Sequence, residues 1–378
     1  MKEAERLSGA SLPEVVRVSD NGPQFASKHF RQWVKEAELR FHHIQARAHH
    51  PQSSGMVEGY HQSLKYEEQD ISISVANRLC MLNKRGLIFV LAHVITLTAL
   101  ASILPDVIAR EVLGLVPVWL TVGKVAVLLA ASLWYIGTNR PGLARYAAIL
   151  LAMLVFSHGA AYAGQTATWR GLFDSQTFAG YFGSAVLLKF CSTLPLVALL
   201  LYLFRSRRRA YLVFGNLSVK AEPINWLRIG ADSITWRRLA VLSAFAISGG
   251  TLLLTLLTVT GFARPERLGE LPDYLPVILL LALVNSLSEG FMFRNAILAP
   301  LCNLLPKDQV LLVAAAFFGM AHFYGAPSGI VGVLMSAVLG WYMTRSMYET
   351  GGLLAPWIIH FMQDVVIFAI LMLLGQFI

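Results

Sequence analysis

The sequence predicts an all-α polytopic membrane helical bundle of about eight or nine spans, preceded by a short, incomplete α/β fragment. Three observations predict it. Of 378 residues, 56% are apolar and only 14% charged, with a mean hydropathy of +0.58, which excludes a single water-soluble globule. Apolar runs long enough to cross about 30 Å of hydrocarbon recur from position 86 to the end. Charge is also unevenly placed: ten basic and ten acidic residues precede position 81, whereas twenty-one basic and twelve acidic residues follow it, so the later part carries the whole net charge of +9. The chain therefore divides into residues 1–80 and 81–378. The basic excess flanks apolar runs, as expected of cytoplasmic anchors rather than of a nucleic-acid surface. Three scattered cysteines, Cys80, Cys191 and Cys302, exclude a disulfide framework and a zinc ribbon.

The apolar runs fall near 86–104, 115–137, 143–164, 180–204, 238–261, 274–300, 309–324, 328–345 and 353–378. Backbone groups in lipid must be bonded within the segment, so each run is expected to be a helix. The seventh is short for a span and reads as tilted or re-entrant. Lys84 and Arg85, then Arg140 and Arg145, then Arg205 and Arg207 to Arg209 mark alternate breaks, which places the start of the first span in the cytoplasm. With nine spans the carboxyl terminus lies outside; with eight it lies inside. The first 80 residues contain no apolar signal-peptide core, and Met81 before Lys84 and Arg85 reads as the start of the functional protein.

Ionisable residues at membrane depth carry the functional reading, because each is costly there unless paired or lining a wet cavity. Lys124 and Lys189 are expected to snorkel, and His93 and His158 to be satisfied singly. The last third differs. One run contains Glu289 and Arg294, the next Phe318 and His322, and the last His360 and Asp364. At 1.5 Å per residue, Glu289 lies about 16 Å, His322 about 20 Å and His360 about 10 Å from the cytoplasmic ends of their helices, so one cavity is able to hold all three. His360 and Asp364, four apart, share a helical face, as do Phe318 and His322. A buried carboxylate with two histidines suits water activation: Glu as general base, histidines to stabilise an oxyanion or protonate a leaving amine. The bland alternative is polar residues that merely join helices. His-Glu-x-x-His is absent, although a Glu and two His remain able to bind zinc.

In these residues the chain resembles the CPBP family of intramembrane endopeptidases, relatives of the type II CAAX prenyl proteases. The family signature of Glu-Glu-x-x-x-Arg, Phe-x-x-x-His and His-x-x-x-Asn or Asp is matched in order by Glu289 and Arg294, Phe318 and His322, and His360 and Asp364. Tyr348 to Pro356 and the stretch from Gly215 to Arg238 also look like the family. The resemblance implies a glutamate-dependent protease in which Glu289 activates water, His322, His360 and Asp364 fill the other functional positions, Arg294 and Phe318 support them, and no metal is required. The second Glu of the pair is Gly290 here, so Arg294 needs another partner, such as a carbonyl, Asp364 or a lipid headgroup. Some family members act as immunity or scaffold proteins, which keeps a non-catalytic reading open.

Ser19 to Phe25, His50 to Glu58 and His61 to Lys65 resemble the catalytic core of insertion-sequence transposases in the retroviral integrase superfamily. That resemblance implies that Asp20 and Glu58 are the second and third acids of a two-metal site. The first acid belongs well upstream, and only 19 residues precede Asp20, so neither strand transfer nor functional nucleic-acid binding is expected. Such a fragment is too short to close a core; one helix is expected near residues 27–39.

The reading is thus an integral membrane endopeptidase of a bacterial cytoplasmic membrane, cutting a peptide or membrane-anchored protein, with no cofactor, or zinc as the alternative. A non-catalytic membrane scaffold or immunity-like protein is the second reading. A membrane-anchored transposase is the third.

Overall fold

A computed structural model describes residues 15–19, 41–45, 84–231, 233–258, 265–325 and 327–375. The chain forms two compact units, Met1–Ala76 and Asn77–Ile378. In the first, β1 (Val15–Ser19) and β2 (Phe41–Gln45) pair in parallel with Val15 opposite Phe41. Asp20, Glu58 and the helix expected near 27–39 lie outside the described residues.

The second unit is all-helical: α1 (Lys84–Ala101), α2 (Leu104–Leu113), α3 (Val118–Gly137), α4 (Pro141–Gln165), α5 (Phe178–Phe204), α6 (Trp236–Thr258), α7 (Leu271–Gly290), α8 (Ala296–Leu301), α9 (Lys307–Met320), α10 (Gly329–Thr350) and α11 (Leu354–Leu374). A π-helical turn, Phe291–Asn295, joins α7 to α8 in one apolar run, Leu271–Leu301. Among the described residues, seven helical runs are long and apolar enough to span a membrane, and the bent pair of α1 and α2 makes up to eight. The molecule is a polytopic membrane bundle.

One boundary differs from expectation. The first apolar run does not end in an irregular break at 104: the chain turns by 51° and continues as α2, with Pro105 in its first turn and the Ser102 hydroxyl accepting from the Leu104 N–H. The short run 309–324 becomes α9, whose 14 residues reach about 21 Å, too short to cross alone. This short run, expected to be tilted or re-entrant, is thus not counted as a span, which leaves up to eight among the described residues.

Side chains face two apolar environments. Within the seven spans only 22–44% of the most apolar stretch is buried inside the protein, and what faces outward is apolar too: Leu242, Phe245, Leu253 and Leu257 on α6 are exposed. A helix apolar all round suits lipid on one side and protein on the other. Inside, Tyr146 and Leu150 of α4 pack with Val94 and Leu97 of α1 and Leu196 and Leu200 of α5. Tyr146 meets its polar need through Thr98, 2.6 Å away.

Lys124 does not snorkel. It is 2% exposed, bonded to Asp106 at 2.5 Å and to the Ser102 carbonyl at 2.9 Å, because α2 returns Asp106 towards α3. His93 and His158 each bond through Nδ1 to a carbonyl one turn earlier in its own helix, and His158 Nε2 also meets the Thr121 hydroxyl at 3.4 Å.

One junction sets the entry of α11. Gly215, at φ +82°, lies against Gly352, and a Cβ on either would fall 2.3–2.9 Å from the other strand's backbone. The N–H groups of Asn216, Leu353 and Leu354 donate to Thr350, Val213 and Phe214 respectively. Only glycine permits this approach, which explains why both are needed before the helix that carries His360. Nearby, Glu349 accepts from Lys307, Arg345, the Trp236 indole and the Glu222 backbone N–H, tying α6, α9, α10 and the 215–235 loop together.

Candidate active site

The site forms where α5, α7 and α11 meet at the π-helical turn. Asn285 and Glu289, four apart on α7, share one face; His360 and Asp364 do the same on α11. Opposing these faces brings Nε2 of His360 to 3.4 Å from Glu289 Oε2 and 3.6 Å from Asp364 Oδ1. Asn285 Nδ2 donates to Asp364 Oδ2 at 3.0 Å and to Glu289 Oε1 at 3.3 Å, linking the two carboxylates. Glu289, His360 and Asp364 are all buried, at 9%, 3% and 4% exposure.

The sequence reading missed Lys189 and Asn285. Lys189 does not snorkel: from α5 it donates to Glu289 Oε1 and to Asn285 Oδ1, both at 2.7 Å. Its side chain is 35% exposed while that of Glu289 is 11% exposed, so the ammonium sits at the rim and the carboxylate within. A signal for both existed. Lys189 stands eleven residues into a 27-residue helix, about 16 Å from one end, beyond snorkelling reach. Asn285 lies one turn before Glu289, on its face.

Arg294 makes no direct ion pair with Asp364, but it does meet a carbonyl, that of Ser286. The π turn directs its guanidinium back beside Gly290, where Nη2 donates to His360 Nδ1 at 3.0 Å and approaches the Ser286 carbonyl at 3.5 Å, while Nη1 lies 3.5 Å from the Met343 sulfur. Arginine only donates. His360 Nδ1 is therefore the acceptor, and the neutral ring carries its proton on Nε2, directed at the two carboxylates. Arg294 thus sets the tautomer of His360.

His322 stands apart. Its Nδ1 donates to the Phe318 carbonyl at 2.8 Å, and it makes no hydrogen bond or ion pair with Glu289, His360 or Asp364. The Phe318 ring packs against both histidines, with centroids at 4.4 Å from His322 and 5.9 Å from His360 in an edge arrangement. With Nδ1 committed, the neutral ring of His322 presents a lone pair on Nε2, the opposite tautomer to His360.

Among the described residues, no group of three or more His, Cys, Asp or Glu is arranged to hold a metal ion. Lys189 and Arg294 place two positive charges against the cluster.

Residues 271–366 match the family profile described as type II CAAX prenyl endopeptidase Rce1-like. This stretch, about a quarter of the chain, runs from α7 through most of α11 and contains Glu289, Arg294, Phe318, His322, His360 and Asp364; Lys189 lies outside it. It is similar to that class of membrane peptidase over its site-bearing helices. No curated protein matches the chain, and no solved structure does.

Proposed function

We propose that this protein is an intramembrane endopeptidase that hydrolyses a peptide bond by water activated at Glu289. The observation that carries the proposal is a buried carboxylate bracketed by the ammonium of Lys189 and the Nε2–H of His360. Glu289 takes a proton from water as the water oxygen bonds to the scissile carbonyl carbon. His360 Nε2–H donates to the developing oxyanion, held in that role by Arg294 behind it. The C–N bond then breaks, and the leaving nitrogen takes the proton from Glu289, with His322 on the open side of Phe318 as a second proton carrier. Asp364 and Asn285 orient the pair. Lys189 keeps Oε1 occupied, so that Oε2 is the oxygen that meets water.

The substrate class is a peptide or membrane-anchored protein, delivered within the bilayer of a bacterial cytoplasmic membrane. The chemistry needs no metal, and a zinc-dependent reaction is the alternative. The test is hydrolysis of tagged membrane-anchored peptides by the full chain in liposomes, run in ¹⁸O-labelled water with and without chelator. One ¹⁸O atom in each new carboxyl group, with chelator present, is the expected result. Cleavage that stops with chelator would replace this reading with the metal-dependent one.

A second reading is a non-catalytic membrane scaffold that uses the same cluster structurally. Its supporting observation is Lys189, which saturates one oxygen of the only glutamate in the cluster. Absence of labelled product across a broad peptide set would favour it.

A further inference from the structure

We propose that the hairpin of residues 217–237 is a membrane-inserted anchor: its tip, Trp226 and Leu227, lies among lipid acyl chains, and Arg228, Arg237 and Arg238 hold the headgroups of anionic phospholipids. The two arms pair antiparallel, with the Ala221 N–H donating to Ile234 and the Trp236 and Arg237 N–H groups to Val219 and Leu217. The tip closes between Ile224 and Ile229, whose backbones bond in both directions at 2.9 and 3.2 Å. Ile224 is 1% exposed, packed in the core that α6, α10 and α11 share, so the turn beyond it is presented from a fixed base. The hairpin lies along α10. The Glu222 N–H donates to Glu349, Arg345 donates to the Pro223 carbonyl at 3.0 Å, and the Trp226 ring meets that of Trp341 at 5.9 Å. Glu349, Arg345 and Trp341 are four apart on one face of α10, so the tip reaches two turns, about 12 Å, along a spanning helix. The same face continues as Val338 and Leu334, both exposed and apolar. The tip therefore stands where the lipid-facing surface of α10 begins, and there Trp226 is 60% and Leu227 41% exposed. An outward Trp and Leu at that level suit the boundary between headgroups and chains.

Charge selects the lipid. Residues 205–238 hold eight basic side chains against two acidic ones, Glu222 and Asp232, and Glu222 is taken by Lys307 at 2.6 Å. Arg228, Arg237 and Arg238 are exposed, as are Arg205 and Arg207 to Arg209, and among the described residues none of them pairs with a carboxylate. Because α5 ends at Phe204 and α6 begins at Trp236, these charges share one face of the membrane. Basic side chains at such a face are drawn to anionic headgroups, over a range that salt shortens. A soluble acidic partner answers the arginines but not an apolar tip set against a lipid-facing helix; an anionic bilayer answers both. The inference does not depend on the catalytic reading.

The test uses the full chain in nanodiscs of phosphatidylcholine with a fixed share of phosphatidylglycerol, bromine being carried on the acyl chains of one lipid or the other at equal total content. The emission of Trp226 is isolated as the difference between the unaltered protein and Trp226→Phe. Brominated chains should quench it, and more strongly when the phosphatidylglycerol carries the bromine. The triple change Arg228→Gln, Arg237→Gln and Arg238→Gln should remove that preference and keep the quenching, and high salt should act in the same direction. Emission that bromine leaves unchanged would overturn the anchor and point the tip at a protein partner instead. Equal quenching by both lipids in the unaltered protein would overturn the headgroup assignment. A second readout is the thermal midpoint, which should rise by a few degrees when phosphatidylglycerol is included and rise less in the triple variant. An undiminished rise in that variant would likewise overturn the role given to these arginines.

Discussion

Replacing Lys189 by Met, Glu289 by Gln, and both together tests whether the rim ammonium and the inner carboxylate stabilise one another. Their charges stand 2.7 Å apart. At an effective dielectric of about 20, Coulomb attraction at that distance is about 6 kcal/mol before desolvation. Desolvation and the one-third exposure of Lys189 reduce the net coupling to about 1–3 kcal/mol. The two single changes should also differ. Lys189→Met strands a buried carboxylate and should cost more, about 2–3 kcal/mol. Glu289→Gln leaves the ammonium the Asn285 carbonyl oxygen and the new amide oxygen as acceptors, and should cost less, about 1 kcal/mol. Unfolding in mixed detergent, with the free energy read from the midpoint and slope, is the assay. The double variant should be less destabilised than the sum of the singles by the coupling. Additivity within about 0.5 kcal/mol would refute the argument, because independent sites add to that margin.

Gly352→Ala places a Cβ 2.3 Å from the Gly215 backbone nitrogen, so the thermal midpoint should fall by several degrees and the entry of α11 should shift; an unchanged midpoint would show that the junction yields. Glu349→Gln removes the buried carboxylate shared by Lys307 and Arg345 but leaves Glu222 2.6 Å from Lys307, and should destabilise the protein by about 1–3 kcal/mol. Limited proteolysis should then cut the 215–235 loop faster, and equal cutting rates would contradict the tie assigned to Glu349.

Most of the bundle was legible because apolar runs of 20 or more residues allow few alternatives to a spanning helix. The convergence of Glu289, His360 and Asp364 was legible for a related reason: acid–base groups at similar depth on apolar helices must meet partners or water. What escaped was tertiary. Asp106 reads as part of a polar break, yet α2 carries it back to Lys124, and no local pattern announces a 51° turn. For Arg294 a carbonyl, Asp364 or a lipid headgroup was expected; a carbonyl, that of Ser286, is one partner, and the π turn also sends the guanidinium to His360, which no helical spacing announces. His322 shares the depth of the cluster but not its hydrogen bonds, because the Phe318 ring lies against it on that side. Lys189 was dismissed by habit of type: its depth, measured like that of Glu289, points inward.

The central claim is that Glu289 acts as the general base. Single-turnover cleavage of a membrane-anchored peptide by the full chain, compared with Glu289→Gln under chelator, tests it most directly. The amide nearly preserves shape but accepts no proton, so the rate should fall by about 10²–10⁴-fold while peptide binding stays within a few-fold. A Glu289→Gln rate equal to that of the unaltered protein would contradict the account.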